Sequence, residues 1–166
     1  MAEELAGRFR RWFEYEKDAH AKVIRSLETV PADRRSSAEY RRAVGLLGHL
    51  VMARRLWLGR FGAAPILTAP LFPEGAALPA VITQWQQVES LWTEYLAQLT
   101  DADIARSFEY QSLDAGRFRN RMEDILAQLF GHSWYHRGQI AMLVQAAGGE
   151  PAVTDLVFWC REPAPG

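Results

Sequence analysis

The 166-residue chain reads as all-α: a four-helix bundle with long connections and one short hairpin before the last long helix. Three observations predict this. Four stretches of roughly 20 residues or more carry apolar side chains three and four positions apart, the repeat of a helix that buries one face. Proline- and glycine-rich segments separate them. Histidines stand inside the apolar stripes of two of these helices, at His49 and at His132 and His136, where burial requires a partner for each imidazole.

The first helix is expected over 2–29, with Leu5, Phe9, Trp12, Glu16, His20, Val23 and Leu27 on one stripe and Pro31 ending it. His20 is read either as a helix-boundary histidine touching water or a carbonyl, or as a group near the site. Residues 31–37 form a polar connection, and Ser36 or Ser37 caps a second helix that runs to about Phe61. That helix is apolar around His49 (Gly45, Leu46, Met52, Ala53, Leu56). It is also apolar on the opposite side, through Val44, Leu47, Val51 and Leu58. Gly45 and Gly48 lower its helix propensity, which close approach of another helix or room around His49 would offset.

The connection 62–79 holds four prolines and no period. It is either a surface connection or a cover, with Leu67, Leu71 and Phe72 packing over the open end of the bundle. Pro79 suits the first turn of the third helix, whose stripe is Val81, Trp85, Val88, Trp92, Tyr95 and Leu99. The run 104–111 has β character, and Asp114, Ala115 and Gly116 read as a turn, giving a small hairpin. Asn120, with Glu123 three residues on, is the expected cap of the last long helix, and Gly148, Gly149 and Pro151 stop it. Thr154 is expected to cap a short final turn over 155–159, and Cys160 to be a buried structural thiol rather than a ligand.

His132 and His136 are four residues apart, so both rings lie on one helix face, a turn from each other. Met122, Ile125, Leu129, Ile140, Leu143 and Ala147 continue that face as a buried stripe. Two imidazoles at this spacing can chelate one ion, and His49 on a second helix supplies a third. Three neutral histidines leave a fourth position open, as catalytic metal sites do. No Glu follows His132, so this is not the zinc-protease motif, and any general base comes from elsewhere.

The run Gly-His-Leu at 48–50 with Leu-Trp-Leu at 56–58, and His-Ser-Trp-Tyr-His-Arg-Gly-Gln-Ile at 132–140, resembles the DinB/YfiT-like family of small helical metalloproteins. The resemblance extends from Tyr15 to about Asp155. It implies one domain over 1–166 and metal ligation by His49, His132 and His136. Arg137 and Gln139 would support the site through hydrogen bonds to ligands or neighbouring helices. The family's Tyr-Asn-x-x-x-Asn pattern falls here on Tyr15, Glu16 and His20, so Glu16 and His20 join Arg137 and Gln139 as candidates for catalytic roles. The implied activity is metal-dependent activation or transfer of a low-molecular-weight bacterial thiol to a small electrophile. The alternatives are a hydrolase that uses water activated on the metal and a non-catalytic, stress-related binding protein that the metal staples. Zinc or nickel leads as the expected ion, with iron and manganese accepted by the same donors.

Apolar residues make up 49% and charged residues 23%, ordinary for a soluble globular protein. With 19 Lys and Arg against 20 Asp and Glu, there is no electrostatic footprint for nucleic acid. No apolar run approaches a membrane span and no signal peptide is read at the start, so the expected location is the cytoplasm. A single cysteine suits that reducing compartment. The family resemblance and the second apolar side of the second helix together predict a two-fold homodimer with that stripe at or near the interface. The alternative is a second helix that is central in its own bundle.

Overall fold

The computed structural model describes residues 4–164; Ala2, the expected start of the first helix, lies outside them. Four helices dominate: α1 (Leu5–Glu28), α2 (Ala38–Arg60), α3 (Leu78–Gln98) and α5 (Met122–Ala146). Between α3 and α5 come a short helix, α4 (Asp101–Ala105), and a hairpin of β1 (Ser107–Gln111) and β2 (Arg117–Arg121). A last short helix, α6 (Leu156–Cys160), follows α5. Among the described residues no helix is long and apolar enough to cross a membrane.

Local chemistry fixes the ends. Ser37 caps α2, its hydroxyl accepting from the Tyr40 amide at 3.2 Å. Pro79 stands in the first turn of α3. The orphan amides that open α1 are capped from a distance, with Leu5 and Ala6 donating to the Asp101 carboxylate at 3.0 and 2.8 Å. Thr100 and Asp103 form a reciprocal capping box on α4. This box makes Ile104 and Ala105 helical rather than part of the strand, and Ile104 is fully buried.

Some expected ends differ. Asn120 does not cap α5; it pairs with Phe108 within the hairpin, and its side-chain oxygen accepts from Tyr110 at 2.9 Å. The helix starts directly off β2, with Arg121 at the cap position and no side-chain hydrogen bond to the helix's opening amides. The N-cap of α6 is Asp155, not Thr154, whose carbonyl instead accepts from the Tyr15 hydroxyl. Cys160 is exposed, because α6 buries none of its residues. The Gly148 stop holds, in the left-handed region at φ +84°.

Helix α2 packs mainly against α5 and α3, and α1 packs against the same two. Their stripes meet in one core that includes Phe13, Trp85, Trp92, Leu47, Leu126 and Phe130. Val44, Leu47, Val51 and Leu58 are at most 1% exposed within this single chain. The second apolar side of α2 is therefore internal, and the expectation that it forms a dimer interface is overturned.

Two of the three glycines of α2, Gly48 and Gly59, serve a loop, while Gly45 leaves open space. A Cβ on Gly48 would stand 3.0 Å from the Pro73 ring, and one on Gly59 would stand 3.1 Å from the Pro65 carbonyl oxygen. The absence of side chains there lets the long connection between α2 and α3 lie directly on α2. The connection is thereby a cover, with Leu67 and Leu71 packed against the core.

Candidate metal centre

The loop's approach brings it to His49. The imidazole Nδ1–H of His49 donates to the Leu71 carbonyl at 2.9 Å, and the Phe72 ring lies parallel on the imidazole, 3.8 Å between centroids. On α5, the Nδ1–H of His136 donates to the Gln139 side-chain oxygen at 2.7 Å. Gln139 is three residues on, one turn along the same face, and its amide nitrogen in turn donates to the Tyr135 hydroxyl at 3.3 Å.

These bonds set the tautomers. With Nδ1 protonated, the Nε2 atoms of His49 and His136 carry lone pairs. Both lone pairs point to one place: the Nε2 of His132 is 3.1 Å from that of His49 and 3.0 Å from that of His136. A single proton on His132 could satisfy only one of them. A cation satisfies all three. For metal–nitrogen bonds of about 2.0–2.1 Å, ligand nitrogens stand about 2.9 Å apart at right angles and about 3.4 Å apart at the tetrahedral angle. The separations of 3.1 and 3.0 Å fall in that interval. The donor set fits a divalent ion, and the three histidines can hold one. All three come from one chain, so the site needs no second copy.

Electrostatics keep the rings ready to ligate. Burial pushes the His49 imidazole below its ordinary range. Burial, with His136 and His49 close by, pushes His132 down to about 4. Neutral imidazole is the ligating form.

The other expected residues divide. Gln139 bonds directly to His136. Arg137 reaches the neighbouring helix, donating from Nη1 to Glu16 Oε2 at 2.9 Å and from Nη2 to the Tyr15 hydroxyl at 2.7 Å. Glu16 is fully buried on α1 and also accepts from Arg54 Nη2 at 2.9 Å. Burial by itself would raise its carboxyl, but Arg54, His20 and Arg137 outweigh that and hold it at about 2, helped by a hydrogen bond from Ser133. The guanidinium of Arg54 lies 5.1 to 5.6 Å from the ring centroids of Phe13, Trp92 and Phe130. His20 is no boundary residue: it sits in mid-helix, fully buried, stacked on Trp85 at 4.1 Å. Its Nδ1 donates to the Glu16 carbonyl at 3.0 Å, while Nε2 has no hydrogen-bond partner among the described residues. Burial pushes its pKa down to about 4.

Sequence reasoning did not single out Arg54 or the Leu71 carbonyl. Arg54 had a signal: it stands three, four and seven residues after Val51, Leu50 and Leu47, inside an apolar stripe, as Glu16 does on α1. Opposite charges in two buried stripes point to a buried pair. The Leu71 carbonyl had none, since any loop residue carries one.

Residues 41–140 match the family model described as the DinB superfamily. No curated protein and no solved structure matches the chain.

Proposed function

The chain belongs to the DinB superfamily, and from that premise we propose a metal-dependent enzyme that activates a low-molecular-weight thiol for attack on a small electrophile. His49, His132 and His136 are the ligands, and one domain arranged as a four-helix bundle carries them. A divalent ion held by three neutral imidazoles keeps its full double charge and would hold a thiol as its thiolate.

The observation that carries this reading is that the two buried ionisable groups of α1 nearest the histidines, Glu16 and His20, are not built to act as a general base. The ion would lower the pKa of bound water to about 7, and a hydrolase gains further from a group that takes the water's proton with a pKa near the working pH. Glu16, the buried carboxylate of this region, is bound by two arginines and held at about 2. His20 is enclosed, held at about 4, and stacked face-on against Trp85. Neither is built to accept a proton at neutral pH. A thiol depends less on such a base, because it starts several units more acidic than water and the ion would deprotonate it outright. Within the chain, Gln139 and the Leu71 carbonyl fix the rings of His136 and His49, and the loop covers one side of the site.

The test is metal analysis of protein purified without a histidine tag, followed by a panel of thiols and electrophiles. Metal-dependent thiol consumption on addition of an electrophile supports thiol transfer. Hydrolysis without thiol supports the hydrolase, and a metal with no exchangeable position supports the stapled binding protein.

A further inference from the structure

We propose that the groove along α2 between His49 and the pair Arg41 and Arg42 is a subsite for a carboxylate, carried by a small substrate whose apolar body lies on Phe72. This rests on the metal centre proposed above and adds a substrate class to it.

Arg42, Gly45 and His49 are spaced by three and four residues, so all three stand on one face of α2. The middle position has no side chain, and a Cβ built on Gly45 meets no atom within 4 Å. Open space therefore lies over the helix between the arginine and the histidine. A cavity of about 440 Å³ occupies this place, with Arg41, Arg42 and Gly45 on one side and Phe72, Pro73 and Glu74 of the loop on the other. Phe72 joins the cavity to the metal centre. Its ring is stacked on His49, parallel within 6°, yet the residue stays 60% exposed.

The size suits a small molecule. Pockets for such ligands are about 300–1,000 Å³. From Arg42 to His49 the helix rises about 10 Å, and the arginine side chain covers part of that, leaving a ligand of roughly 6–10 Å. The charge suits an anion. Neither guanidinium has a hydrogen bond or ion pair among the described residues. Glu74 is the single carboxylate lining the cavity, so two cations face one anion. An exposed arginine pair by itself is a solvated helix face. This pair instead borders a glycine-floored cavity whose opposite wall stacks on a metal ligand. A planar guanidinium matches a carboxylate with two parallel hydrogen bonds.

Fluorine NMR titration tests this on zinc-loaded protein, with para-fluorophenylacetate and its uncharged counterpart para-fluorophenethyl alcohol. The acid should bind at least ~10-fold more tightly, the gain expected of a charge-assisted contact. Arg41→Ala combined with Arg42→Ala should bring the acid to the affinity of the alcohol and keep the zinc. Equal affinities, no binding of either probe, or an acid affinity unchanged in the double variant overturns the subsite; the last result would place the carboxylate on the metal. Zinc content read on the same samples separates the two claims. A zinc-loaded chain that treats acid and alcohol alike defeats the subsite alone. A zinc-free chain that still prefers the acid through its arginines keeps the subsite and defeats the centre.

Discussion

Glu16 on α1 accepts a hydrogen bond from Arg137 on α5 at 2.9 Å, in a core where neither residue is more than 3% exposed. The other carboxylate oxygen accepts from Arg54 on α2, also at 2.9 Å. One carboxylate thus ties α1 to the two helices that carry the three histidines. Removing one member leaves a buried charge unpaired, at a cost of about 3–5 kcal/mol. Glu16→Gln and Arg137→Ala should each lose about that much in urea unfolding of metal-free protein. Replacing all three groups together, with Glu16→Leu, Arg54→Met and Arg137→Leu, should recover most of it. A loss below about 1 kcal/mol in both single variants would show that the network is not held as described.

Val51 is fully buried inside its own chain. Val51→Lys places an unpaired charge among α2's apolar neighbours and should leave the chain unfolded by circular dichroism. A folded variant, monomeric or not, would contradict the internal position of this stripe.

The second hydrogen bond of a ligating histidine tunes the site. Gln139→Ala removes the acceptor from His136 Nδ1 while leaving the helix intact, since Gln139 is only partly buried. Metal affinity should fall about 10–100-fold in competition with a chromophoric chelator. Unchanged affinity would mean that Gln139 does not orient the ring.

Acid should destabilise the protein in two windows. His20 is held at about 4 in the folded state, below its ordinary 6.5. Below 6.5 the unfolded chain binds a proton that the folded chain refuses, so stability is lost as pH falls from 6.5 towards 4. Glu16, at about 2 against an ordinary 4.5, adds a loss as pH falls from 4.5 towards 2. Urea midpoints measured along this range should decline throughout, and His20→Gln should lessen the slope of the upper window, which His132, also held at about 4, shares, while retaining the metal. An upper window of the same slope in that variant would assign the loss elsewhere, and loss of metal would make His20 a ligand.

Much of this was legible in the sequence because each helix writes its buried face as a period. Phe9, Val23 and Leu27 on α1, Val81 and Trp92 on α3, and Ile125 and Ile140 on α5 all lie where the period puts them. The three histidines were legible for the same reason, as polar groups inside those stripes. What a single stripe cannot state is its partner. The α2 stripe from Val44 to Leu58 is the same whether a second copy or its own α3 and α5 cover it. Gly48 announced a close approach without saying that a loop makes it. Asn120 and Thr154 are good caps whose positions were claimed by strand pairing and by Tyr15. Cys160 followed the burial habit of its residue type until α6 proved to bury nothing.

The central claim is that His49, His132 and His136 hold one ion. The direct measurement is metal content per chain, by mass spectrometry, of untagged wild type beside His136→Ala. About one divalent ion in the wild type is expected, and most of it should be gone from the variant, together with a lower melting temperature. A wild type without metal, or a variant that keeps its full complement, would contradict the account.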